Sequence, residues 1–199
     1  MTRRAGPCYR GVVTSDQPRR SYDYATRKGV RRLSWDDVAG LARSLAETLA
    51  ARKIDTVVGV ARAGLIPATM VACALRCELY PVRITRRLHD EVVYDSPVWR
   101  VPVSNLVAGK AVAVVDEITD TGETLALVAE QVRALEPARV VTACLVAHSW
   151  ARPEPDVVAL VSDELILFPW NEHVLIDGEW REHPELAAAR RAQEKGPVS

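Results

Sequence analysis

Apolar residues along this chain fall into short blocks that alternate between a helical and a strand-like rhythm. Ser34 and Asp37 make a capping-box-like opening, after which Val38, Leu41, Ala42, Leu45 and Leu49 recur on one helical face. This spacing predicts an amphipathic helix ending near Arg52. Residues 56–60 form a β-branched run, 61–64 a turn of mostly small residues, and Pro67 suits the first turn of a helix reaching about Arg76. Further strands are predicted at 79–84, 110–115, 140–147 and 157–161, with a helix at 124–135. The strands lack polar–apolar alternation, as parallel strands do when helices cover both faces of their sheet. The expected fold class is α/β, a doubly wound, mostly parallel sheet flanked by helices.

Four segments interrupt this rhythm. Residues 1–32, rich in Arg, Pro and Ser, read as a flexible basic arm ahead of a core at 33–148. The polar stretch at about 85–108 is longer than an ordinary connection and reads as a lid loop. Residues 149–182 read as an accessory cap, and 183–199 as a tail that begins helical and frays.

Composition narrows the function. With 199 residues and 48% hydrophobic content the chain can bury a core without disulfides. Lys+Arg and Asp+Glu both number 26, so no global field favours nucleic acid or an anionic membrane, and anion binding has to be local. Cys8, Cys73, Cys77 and Cys144 include no Cys-x-x-Cys pair, and the last three lie in apolar runs, where free cysteine behaves as a small hydrophobe. No apolar run is long enough for a signal core or a membrane span. A soluble cytoplasmic protein is the expectation.

The chemistry concentrates in Val112 to Thr124, VAVVDEITDTGET: an apolar strand, two acids, and an Asp-Thr-Gly-x-Thr turn entering a helix. A helix N-terminus presents unpaired N–H groups, so a Gly-containing turn flanked by hydroxyls makes a monophosphate cradle there, supplied by Thr121, Gly122, Glu123 and Thr124. Asp116 and Glu117 lie at the carboxyl end of the strand, where open α/β sheets place ligands, and adjacent carboxylates suit paired sugar hydroxyls or a hydrated Mg²⁺. An Asp/Gly turn that only caps the next helix would explain the turn but not the acidic pair. Gly59 and Gly64 have Walker-like spacing, yet Leu65 and Ile66 stand where Lys and Ser/Thr are required.

This string resembles the phosphoribosyl pyrophosphate (PRPP) motif of the type I phosphoribosyltransferases. The resemblance implies that Asp116 and Glu117 bind the ribose hydroxyls and help hold Mg²⁺, and that Asp120 to Thr124 bind the 5-phosphate. It also makes Asp120 the proton acceptor. VGVARAGLIPA at 58–68 resembles the family's pyrophosphate loop, which implies a role for Arg62, Ala63 and Gly64 and raises a cis peptide at Arg62–Ala63. SWDDV at 34–38 and DELILFPWNE at 163–172 resemble the start and the small C-terminal hood of the xanthine/guanine/hypoxanthine phosphoribosyltransferases. By that resemblance the base meets His148, Leu165 and Ile166, although the relatives carry Lys and Trp where this chain has His148 and Leu165. A solvent-facing His148 and a plain core Leu165 are the competing placements.

The implied activity is transfer of ribose 5-phosphate from PRPP to a nitrogen of a purine-like base, with Mg²⁺ as cofactor. The implied partners are PRPP and a small-molecule acceptor, with no membrane or nucleic acid, in a homodimer. Two other readings stay open: a non-standard acceptor such as a deazapurine or an amine of secondary metabolism, and a PRPP-binding regulator without catalysis.

Overall fold

The structure, a computed structural model, describes residues 27, 29–88, 91–94 and 97–194. Cys8, His89 and most of the expected basic arm lie outside these residues. In chain order the elements are β1 (Val30–Arg32), α1 (Trp35–Ala51), β2 (Thr56–Val60), α2 (Leu65–Leu75), β3 (Glu78–Thr85), β4 (Arg87–Leu88), β5 (Glu91–Val92), β6 (Val98–Val101), β7 (Ala111–Thr119), α3 (Glu123–Arg133), β8 (Arg139–Ala147), β9 (Val157–Val161), β10 (Leu165–Leu167), β11 (His173–Ile176), β12 (Glu179–Glu182) and α4 (Pro184–Glu194).

Six strands form the central sheet in the order β6-β3-β2-β7-β8-β9, with only β6 antiparallel. The predicted capping box starts α1: Asp37 N donates to Ser34 Oγ at 3.1 Å, and Ser34 N donates to Asp37 Oδ2 at 2.8 Å. α1 buries Val38, Ala42, Leu45 and Leu49 together with the inner side of α2, while α3 buries Leu125, Val128 and Val132 on the opposite face. Each central strand therefore meets apolar cover on both sides: Val57, Ala113 and Leu145 face α1 and α2, whereas Val58, Val112 and Cys144 face α3. That double cover is why these strands do not alternate.

Several expectations are refined. The strand predicted at 110–115 runs on to Thr119, so Asp116 sits inside the ladder, in register with Cys144. Part of the presumed lid is sheet: Val98–Val101 pairs antiparallel with β3, because its apolar side chains complete an otherwise open edge. The last residues of the presumed loose arm, Val30–Arg32, pair in parallel with Leu165–Leu167. Cys144 is buried, and burial pushes its thiol up to about 12. Cys73 is exposed instead of buried, because α2 turns Pro67, Ala68, Val71 and Ala72 inward and leaves position 73 facing out.

Leu49 is fully buried where α1 covers the sheet. Leu49→Ala should cost about 2–5 kcal/mol of unfolding free energy, measured by urea denaturation.

Candidate active site

The sheet order reverses between β2 and β7: α2 leads from β2 outward to β3, and α3 leads from β7 outward the other way to β8. At such a reversal the helices leave on opposite faces, and a crevice opens beyond the carboxyl ends of the two strands. The loop 61–64 leaves β2 and the turn 120–122 leaves β7 at that crevice.

The loop after β2 is tied down by its backbone. Ala61 N donates to Val82 O at 2.7 Å, Leu65 N to Arg62 O at 3.2 Å and Ile66 N to Ala63 O at 3.0 Å. A cis peptide does occur here, between Ala61 and Arg62, one bond earlier than Arg62–Ala63. Gly64 packs closely against β7. A Cβ there would lie 2.5 Å from Asp116 Oδ1 and 2.6 Å from Val60 O, so no side chain fits. The loop with Arg62, Ala63 and Gly64 is thereby brought against the acids of β7.

Asp116 is buried and Glu117 half-buried. Burial, then the charge of Glu117, pushes the Asp116 carboxyl well above the usual carboxylate range, and Oδ1 accepts from Glu117 N at 2.9 Å. Among the described residues no three His, Cys, Asp or Glu side chains are grouped to hold a metal. The Asp116–Glu117 pair nonetheless fits Mg²⁺: this ion takes one or two carboxylates and fills its remaining positions with water and phosphate oxygens, and its charge would relieve the crowding of the pair.

Beyond β7 the chain turns through Gly122 at φ +90° and enters α3 with this glycine as its N-cap, which offers no capping side chain. Thr121, Glu123 and Thr124 are exposed at this entrance, and Thr121 Oγ1 accepts from Glu123 N at 3.4 Å. Gly122 is required by a neighbour the sequence did not suggest. A Cβ there would meet Pro153 O at 2.5 Å and the carbonyl carbon of Arg152 at 2.8 Å. The loop after β8 crosses over the turn and clamps it, with His148 N donating to Thr119 O at 3.1 Å and Arg152 N to Thr121 O at 2.9 Å.

His148, Leu165 and Ile166 line one cavity of about 90 Å³. Its wall also includes Glu117, Ile118, Phe168 and Arg27. His148 is buried, not solvent-facing, and its Nδ1 lies 2.6 Å from Ser162 O. Burial, then the charge of Arg27, holds the imidazole below its ordinary value, outweighing the Ser162 carbonyl and the carboxylates of Asp120 and Asp163. Trp170 does not line the cavity: its ring stacks on Phe168 at 4.6 Å and tilts against Trp35 of α1 at 5.8 Å.

Asp120 is joined to this cavity by two residues that sequence reasoning missed. Its Oδ1 accepts from Arg27 Nη2 at 2.8 Å and from Trp150 Nε1 at 3.1 Å. The Arg27 guanidinium lies 4.3 Å from the centre of a Trp150 ring, and His148 stacks on Trp150 at 4.6 Å. Trp150 follows a strand end and carried a weak signal for this role; Arg27 sat in a stretch without periodicity and carried none.

Comparison with known proteins bears on the family and the fold. A family model described as "Phosphoribosyl transferase domain" matches residues 31–177. A xanthine-guanine phosphoribosyltransferase of Gluconobacter oxydans is 30% identical over 80% of this chain and 91% of its own length. The crystal structure of a purine phosphoribosyltransferase from Pyrococcus horikoshii superposes with a TM-score of 0.65 at 33% identity, over 74% of this chain and 98% of that one. A Helicobacter pylori xanthine-guanine-hypoxanthine phosphoribosyltransferase, at 18% identity and a TM-score of 0.59, covers 71% of this chain and 91% of its own and shares the fold.

Gly122→Ala forces a side chain into a left-handed conformation and against the Arg152–Pro153 backbone. It should lose at least about 1–3 kcal/mol in denaturant titration. Asp116 releases its proton at higher pH in the native than in the unfolded chain, so stability present at acid pH is lost as pH rises through the native value. Asp116→Asn should therefore unfold at a higher temperature than the wild type near neutrality without ligand. Scanning calorimetry should show that gap close as pH falls toward ~3.9.

Proposed function

The chain belongs to the phosphoribosyl transferase domain family, and from that premise we propose that it transfers ribose 5-phosphate from PRPP to a nitrogen of a purine-like base, releasing pyrophosphate. The observation that carries this reading is the approach of Gly64 to Asp116, which sets the Arg62 loop against the Asp116–Glu117 pair beside a glycine-capped helix entrance.

Thr121, Gly122, Glu123 and Thr124 hold the 5-phosphate, with N–H groups and hydroxyls aimed at its oxygens. Asp120 opens the same turn. Asp116 and Glu117 accept hydrogen bonds from the ribose hydroxyls, which fixes the sugar with its C1 toward the β2 loop. Arg62 and the backbone of Ala63 and Gly64 meet the pyrophosphate and balance the charge that builds on it as the C1–oxygen bond lengthens. Mg²⁺ bound beside Asp116 and Glu117 would supply further charge neutralisation to the departing pyrophosphate. The acceptor lies in the cavity of His148, Leu165 and Ile166 and enters from the face opposite the leaving group, so positioning supplies much of the rate.

Asp120 takes the proton that the acceptor nitrogen sheds as its new bond to C1 forms. Arg27 and Trp150 both engage Oδ1, which leaves Oδ2 to receive it. The segment at 85–108 serves as the lid that excludes water from an electron-poor C1, and residues 149–182 as the hood over the base. Within the first of these, Arg86 Nε donates to Tyr94 O at 3.2 Å and so braces the segment itself. A cytoplasmic setting and a homodimer complete the reading.

Substitution of His148 and Leu165 for the relatives' Lys and Trp keeps the choice of acceptor open to non-standard bases. Pyrophosphate release should be followed with PRPP, Mg²⁺ and a panel of purines, deazapurines and amines. Asp120→Asn should lower kcat by about 10²–10⁴ on the best acceptor while still binding PRPP. Full activity in that variant would remove Asp120 from the proton transfer. PRPP binding with no pyrophosphate from any acceptor would mark a regulator.

A further inference from the structure

Arg27 is the least expected member of the cavity. It precedes the first strand, in a stretch whose sequence shows no periodicity, yet its side chain is only 7% exposed. Burying a guanidinium is costly unless its donors are used. It carries five N–H donors, and among the described residues Nη2 donates to Asp120 Oδ1, with the face of the Trp150 ring beside the group. Arg27 lines the cavity together with His148, Leu165 and Ile166.

The position of Arg27 is built in by strand pairing. Leu165 N donates to Gly29 O at 2.9 Å, and Val30–Arg32 then runs in register with Leu165–Leu167. Gly29, at φ +97°, turns the chain just before this pairing begins. The strand that forms one cavity wall therefore also holds the segment that delivers the guanidinium.

His148 contributes the opposite polarity. A 2.6 Å contact between Nδ1 and a carbonyl oxygen requires the proton to sit on Nδ1. Burial and the nearby Arg27 charge favour the neutral ring. Nε2 then carries a lone pair and accepts. Glu117 and Glu164 also line the cavity, so Arg27 is its one permanent cation among the described residues, and it is already partly balanced by Asp120.

Resting on the transferase reading above, we infer that Arg27 is a specificity-determining residue for the acceptor: its guanidinium, at the cavity wall, donates to an acceptor oxygen, while His148 Nε2 accepts from an adjacent ring N–H. This pair reads a lactam edge, a carbonyl beside an N–H. An amidine edge, an amino group beside a bare ring nitrogen, offers a donor to Arg27 and a lone pair to His148, and both contacts fail. The Asp120 contact gives Arg27 a second effect, since it holds the carboxylate that faces the acceptor.

The test compares wild type, Arg27→Ala and Arg27→Lys in the pyrophosphate assay, with a matched oxo- and amino-purine pair as acceptors and with KM for PRPP measured alongside. Arg27→Ala should raise the acceptor KM for the oxo-purine about 10–100-fold, the loss typical of a hydrogen bond to a charged group, and by more than it raises the KM for PRPP. The oxo-over-amino preference should collapse in parallel. Arg27→Lys keeps the charge but loses the fork, and should recover part of the KM without the full preference; if the alanine variant does not fold, the lysine variant carries the comparison. An unchanged acceptor KM and preference in an active enzyme would overturn the inference and leave the transferase reading intact. A variant faster than wild type on both purines would also overturn it, making Arg27 a plug and not a reader. A wild type inactive with every base would remove the transferase reading, and this inference with it.

Discussion

The site depends on two parallel strands being neighbours while the helices that follow them leave on opposite faces. β2 and β7 satisfy this condition, and the space that opens at their carboxyl ends is closed to about one atom's width where Gly64 meets Asp116. Any side chain at position 64 would push the β2 loop away from the acids. The placement of Arg62 relative to Asp116 and Glu117 thus rests on the absence of a single carbon atom.

The same crowding sets the electrostatics. Asp116 is buried next to Glu117 and within reach of the Gly64 backbone, an arrangement that favours a proton or a cation and resists a bare charge. Such a pair costs stability in the ligand-free chain and is suited to a site where sugar hydroxyls and a divalent ion arrive together. The double-sided apolar cover over β2, β7 and β8 offsets this cost, because it places a large buried surface directly beneath the acids.

A second layer of constraint comes from the loop after β8. It crosses the turn before α3 at Gly122, bonds to Thr119 and Thr121, and presents Trp150 as the surface on which His148 and Arg27 both rest. Asp156 secures the far end of this loop, accepting from Thr142 N and Oγ1, each at 2.8 Å. The Gly122 turn, Asp120 and the His148 cavity are in this way held by one short segment between β8 and β9.

Local chemistry was legible in the residues. The capping box of α1, the apolar blocks of β2, β7 and β8, and the acid pair followed by the Asp-Thr-Gly turn all depend on groups a few positions apart, and spacing alone describes them. Cys73 and the edge strand β6 were misread because burial and edge pairing depend on what covers a segment, which its own pattern does not state. The contacts that complete the site lie further still. Arg27 meets Asp120 across 93 positions, and Gly64 meets Asp116 only because two strands became neighbours. The sequence by itself determined which groups could bind phosphate and sugar, since that chemistry belongs to short-range motifs. Only the tertiary structure decided which cation borders the cavity and which imidazole nitrogen meets the Ser162 carbonyl, because both follow from strand pairing and burial between segments with no sequence proximity.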